Sequence, residues 1–149
     1  MLFKAMMASC VTSKSRDSWM TFFMNRKKEI TRADLEQLME IITVFEDEEI
    51  TLHHAVVISN LVMMCNPNYV PLRKLILVLK EKKQFLLQFM KLEGKFNKFL
   101  NRILELMDIQ KEELNLALFF GFVMRLENFA YRSETVRKIA RRSEEHTSE

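Results

Sequence analysis

Side chains able to do catalytic or metal chemistry are few in this chain, and their spacing does not assemble a reaction centre. His53 and His54 are adjacent. Neighbours on a helix point about 100° apart, so the pair does not converge on one metal ion. Cys65 lies three turns further on, and no second His or Cys stands at ligand spacing. No Ser or Cys is placed beside a base on a strained turn. Only two glycines, Gly94 and Gly121, are present, which excludes a glycine-rich phosphate loop. The chain therefore reads as a non-enzyme with no metal, no cofactor and no small-molecule substrate. Cys10 and Cys65 are too few for a disulfide framework and read as reduced thiols.

The remaining chemistry is cationic. Arg73, Lys80, Lys83 and Lys91 fall within an arc of about 80° if one continuous helix carries them at 100° per residue. Lys74 and Lys82 point elsewhere on that helix. Lys95, Lys98 and Arg102 form a second stripe at i, i+3, i+7. Such faces attract phosphates and anionic headgroups in a salt-sensitive way, at about 1 kcal/mol per cation near an acidic membrane. A solvated helix face kept soluble by lysines would show the same pattern.

The elements that must position these cations are helical. With two glycines and two prolines in 149 residues, turn-forming material is scarce, and 48% apolar residues can fill a core. The fold expected is all-α, a compact bundle of about six to seven helices, with two small subdomains as an option. Residues 1–14 read as a flexible or docked arm. A first helix is expected over 15–28. Thr31-Arg32-Ala33-Asp34 has the form of a capping box, followed by an apolar face at Leu35, Leu38, Met39, Ile42 and Phe45. The acids 46–49 are assigned to the start of the next helix, where Thr51 helps to cap it. That helix, 52–65, is apolar enough to be wrapped on most sides. Asn66-Pro67-Asn68 is the clearest break, Pro71 suits the first turn of a fourth helix over 72–92, and Gly94 suits its C-terminal cap. An amphipath over 95–107 follows. Asp108 would cap a buried sixth helix containing 114–124, and Ser133 a last one. No internal repeat stands out, and no apolar run reaches the length of a membrane span.

The closing octapeptide, 142–149, reads as the in-frame translation of a sequencing adapter rather than native sequence, so that the native chain would run on past Arg141. Without it the chain has 22 Lys+Arg against 17 Asp+Glu, and the net charge rises from +3 to +5.

Asp34-Leu35-Glu36-Gln37-Leu38-Met39-Glu40 resembles, with a single change, the second-helix segment of the matrix protein of the orthomyxoviruses, the influenza-like viruses. The order of the flanking pieces is similar too. An apolar helix (52–65) and a polar break precede a helix opening with Arg73 and Lys74. An amphipath with Lys95, Lys98 and Arg102 comes next, then Lys111-Glu112 opening a buried helix, with Arg132 and Thr135-Val136 at matching distances. The likeness spans about residues 15–138, and residues 15–141 are taken as one helical matrix-like domain. It implies an all-helical protein in a layer beneath a viral envelope, in the virion and the host cytoplasm or nucleus. Its implied partners are further copies of itself, anionic lipid, and ribonucleoprotein or RNA. Arg73, Lys74, Lys95, Lys98 and Arg102 inherit that expectation. Asn97 and Asn101 dilute the family's denser Lys/Arg cluster, which weakens the expectation of RNA binding and nuclear import.

Two readings follow. The first is a structural matrix-type protein that binds anionic lipid or RNA through Arg73, Lys74, Lys80, Lys83, Lys91, Lys95, Lys98 and Arg102. It is neither secreted nor membrane-spanning. The second is an intracellular helical module that holds a partner's amphipathic helix in an apolar groove, as apoptosis-regulating bundles do.

Overall fold

A computed structural model describes residues 2–110. Among them are seven α-helices and no strand: α1 (Leu2–Ser9), α2 (Ser13–Asn25), α3 (Arg32–Val44), α4 (Leu52–Met64), α5 (Leu72–Glu81), α6 (Lys83–Met90) and α7 (Glu93–Gln110). The fold is all-α, as the composition predicts. One contiguous apolar cluster runs from Phe3 to Met107, so the described helices share a single core. The expectations for 114–124, Arg132, Ser133, Thr135-Val136 and the octapeptide 142–149 lie outside the described residues.

The N-terminal arm is a docked helix. Phe3, Met6 and Met7 of α1, with Cys10 after it, are buried. Phe3 stacks on Phe23 at 5.7 Å, and Trp19 donates its indole N–H to Ser9 Oγ at 2.8 Å. Thr12 then opens α2 through a capping box with Ser15.

A structural repeat of 20 residues organises the middle of the chain, where the sequence reading found none. Three short 3-10 turns, Lys27–Glu29, Asp47–Glu49 and Pro67–Tyr69, each end on a buried β-branched residue: Ile30, Ile50 or Val70. A capping position follows, Thr31, Thr51 or Pro71, and then a helix. The buried residue stands just before the cap, and its counterpart at the fourth helical position (Leu35, Ala55, Leu75) is buried as well. This is the arrangement of a hydrophobic staple, which fixes the angle at which the chain enters each helix. The signal was in the sequence, since Glu29-Ile30-Thr31 recurs as Glu49-Ile50-Thr51.

Helix α4 is the central element. It packs against α2, α6 and α7, and residues from His54 to Ser59 are buried without interruption. Two of its polar residues satisfy themselves on the helix backbone: Ser59 Oγ and Asn60 Nδ2 both donate to Val56 O, at 3.0 and 2.7 Å.

The single helix expected over 72–92 is two helices. Lys82 is extended (φ −95°, ψ 91°) between α5 and α6. The break is stabilised from a distant part of the chain. Asp47 accepts the backbone N–H of Gln84 on both carboxylate oxygens, at 3.1 and 3.2 Å, and so caps α6. Lys82 Nζ donates to Phe45 O at 3.0 Å, satisfying the carbonyl just past α3. The acids 46–49 thus do not open α4. They form their own turn, and one of them caps a helix 37 residues away. Replacing Asp47 with Ala should lower stability by about 1 kcal/mol through the lost cap, with Asp47→Asn retaining most of it; thermal unfolding of the three proteins checks this.

Gly94 is not a cap either. It lies inside the first turn of α7, where a Cβ would meet nothing within 4 Å. Asp108 sits within α7 rather than at the start of another helix.

Candidate functional site

The eight cations singled out by the sequence lie on α5, α6 and α7 or at their ends, and they divide by environment. Arg73 and Lys80 on α5, Lys83 and Lys91 at the two ends of α6, and Lys95 and Lys98 on α7 are exposed. None of these six has an ion pair among the described residues. The break at Lys82 removes the continuous helix on which the 80° arc rested. Arg73 and Lys80 still share one side of α5, but Lys83 and Lys91 stand at the ends of a separate helix, α6, whose start Asp47 caps.

Lys74 and Arg102 are taken out of that set by acids. Lys74 Nζ is 3.0 Å from Glu40 and 4.0 Å from Glu36 on α3, an exposed pairing that adds little stability but neutralises the ammonium. Arg102 Nη1 pairs with Glu105 at 3.3 Å, and its Nη2 donates to Cys65 O at 3.2 Å. That guanidinium therefore ties α7 to the end of α4. The structure thus brings Lys98 and Arg102 together beside α4, and it places Lys74 in a mixed-charge groove elsewhere.

The groove around Lys74 lies between α3 and α5 and has a volume of about 330 Å³. Met39, Thr43, Val44 and Leu77 line it, with Glu40, Lys74 and Glu81 at its rim. Val44 is 79% exposed there, the most exposed large apolar side chain among the described residues.

Among the described residues, which include His53 and His54, no cluster of three metal-ligating side chains occurs. His54 is fully buried and structural. Its Nδ1 accepts the Thr51 N–H at 3.0 Å, so the ring proton sits on Nε2, which donates to Met7 O at 2.8 Å. One imidazole thereby closes the capping box of α4 and holds the end of α1. Burial draws its pKa below the ordinary histidine range, against the opposing effect of the Met7 carbonyl. His53, partly exposed, lies 3.5 Å from Arg16 Nη1. Burial pushes the thiols of Cys10 and Cys65 up to about 11, which leaves both protonated and unreactive at neutral pH.

Comparison with known proteins returns no matching family model, no curated relative and no solved structure of similar fold. Function is therefore read from the surface itself.

Two features of that surface were passed over in the sequence. Arg26-Lys27-Lys28 is a contiguous exposed basic triplet at the end of α2. Arg26 lies 3.8 Å above the Phe22 ring and donates to Phe22 O, which matches a cation at a helix C-terminus. A run of three cations was the available signal. The other is the α3–α5 groove, which exists only once Val44 and Leu77 are neighbours. Among the described residues, no helix is long and apolar enough to cross a membrane.

Proposed function

We propose that this chain is a structural, matrix-type protein that self-associates beneath an anionic membrane and contacts ribonucleoprotein through its basic helices. The observation that supports this reading is the set of six exposed cations on α5 to α7 without an acid partner among the described residues. Long unpaired lysines keep their full charge for a polyanion, and their attraction adds over a surface without needing a shaped pocket. The likeness of residues 34–40 to the orthomyxovirus matrix protein points the same way.

Vesicle co-sedimentation tests it. The chain should pellet with phosphatidylserine vesicles at low salt, remain in solution with neutral ones, and be released as salt rises. Neutralising Lys80, Lys83 and Lys91 to Gln together should weaken binding by about 100-fold, from about 1 kcal/mol per cation. Equal pelleting with neutral vesicles, or no salt dependence, overturns the reading. Anisotropy with a single-stranded RNA distinguishes the ribonucleoprotein contact from the lipid one.

The groove between α3 and α5 favours a second reading, a module that binds a partner's amphipathic helix. Val44 and Leu77 offer it an apolar wall. Val44→Asp should abolish peptide capture under that reading and leave vesicle binding unchanged under the first.

A further inference from the structure

We infer that α7 is a self-docking face, on which two copies of this chain pair through antiparallel α7 helices about a two-fold axis between Asn101 and Arg102. The inference rests on the self-association in the reading above, and not on its lipid or RNA partner. A two-fold interface must be self-complementary, because each residue meets the mirror position of its own stripe. The exposed stripe of α7 has that property. Lys98 and Glu105 are equidistant from the proposed axis, so an antiparallel partner sets Lys98 against the partner's Glu105 twice over. The two residues lie within about 20° of each other around the helix, on the solvent side, and about 10 Å apart along it. Lys98 has no ion pair among the described residues, and Glu105 is 65% exposed while holding Arg102, so a carboxylate oxygen remains for a second cation.

A second pair at the same register is apolar. Ile109, 53% exposed, falls opposite the partner's Gly94. Gly94 is exposed and has open space where a side chain would stand, so the partner's Ile109 can approach the backbone there. At the axis itself runs an open groove of about 480 Å³ between α4 and α7, lined by Met63, Lys98, Asn101, Arg102 and Glu105, with room for the partner's side chains. One helix pair buries less than the roughly 1,200–2,000 Å² of a standard interface, so the dimer is weak and salt-sensitive.

Sedimentation velocity of the full chain provides the test. At an ionic strength of about 0.01 M, where the Debye length is about 30 Å, a concentration-dependent dimer should appear, and about 1 M salt should dissolve it. Lys98→Glu sets two carboxylates against each other at both ends of the axis, and Glu105→Lys sets two ammonium groups together. Each variant alone should dimerise more weakly by about tenfold or more, because both cross-pairs turn repulsive at once. An equimolar mixture of the two should regain the dimer as a heterodimer, in which one cross-pair joins the two introduced charges and the other joins the two native ones, both opposite in sign. Misfolded variants would not reassociate, so the mixture separates a lost contact from a lost fold. A wild type that stays monomeric at low salt, single variants that dimerise like the wild type, or a mixture that fails to associate overturns the inference. In this dimer Lys98 faces the partner rather than the membrane, and vesicle binding is read in the wild type through Lys80, Lys83 and Lys91, so its loss would count against the membrane reading alone.

Discussion

Replacing Phe89 with Ala should cost about 3–5 kcal/mol, enough to unfold much of a domain whose total stability is on the order of 5–15 kcal/mol. Phe89 is 1% exposed. It stacks on Phe99 of α7 at 4.4 Å and meets the edge of Phe85 at 4.7 Å. It is therefore the ring through which the short helix α6 holds α7. The loss has two parts: the transfer of the ring out of the core, and a cavity that its two aromatic neighbours cannot close without tilting. Because α6 has only eight residues, too few to be stable alone, its helicity depends on this packing. Thermal unfolding followed by circular dichroism should show a midpoint lower by roughly 10 °C or more. Phe89→Leu, which keeps most of the volume, should lose distinctly less. Equal losses for Ala and Leu would mean that the stack on Phe99 matters and the filled volume does not.

His54 should make the protein lose stability as the pH falls below about 6.5. In the folded state the ring is buried, and its Nδ1 must stay unprotonated to accept the Thr51 N–H. A proton there would face a second donor and break the box that starts α4. Burial lowers the folded pKa, and the adjacent His53 adds to that lowering, while the unfolded chain titrates at the ordinary value. Between the lowered folded value and about 6.5 the unfolded state therefore binds more protons than the folded state. Stability then rises with pH across that window, is complete above it, and falls on acidification by up to about 1.4 kcal/mol per pH unit. The groups around the ring are Thr51, the Met7 carbonyl, the edge of Phe45 at 5.7 Å and His53, and none of these supplies a carboxylate to stabilise a charged imidazole. Denaturant melts at pH 7.5 and pH 5.5 check the sign. His54→Gln, which can still accept from Thr51 and donate to Met7, should show a flatter profile over the same range. A wild type and a Gln variant with the same slope would remove His54 as the cause.

Much of the helix pattern was legible because local rules decide it. Thr31 and Asp34 form their capping box at 3.2 and 2.9 Å, as three-residue spacing alone demands. Leu35, Leu38, Met39 and Ile42 are buried because helical periodicity puts them on one side of α3. The stretch after His54, apolar except for Ser59 and Asn60, reads as a wrapped helix, and α4 is one. For the cations, the sequence located Lys95, Lys98 and Arg102 on one helix, and they share α7.

What the sequence could not decide depends on residues far apart in the chain. The break at Lys82 has no local signal, since neither Gly nor Pro stands there. It exists because Asp47 caps Gln84 from 37 residues away, and a single helix would forfeit that bond. Arg102 and Lys74 looked like free cations because their partners are a turn away on α7, on the carbonyl of Cys65, or across on α3. His54 had no visible role in the sequence until α1 folded back and gave its Nε2 a carbonyl. Periodicity and capping act within about four residues, so the order of residues determines which faces are apolar and where helices can start. Which charge stays free, and which helix is cut in two, follows from which surfaces meet, and that is settled only when the core closes.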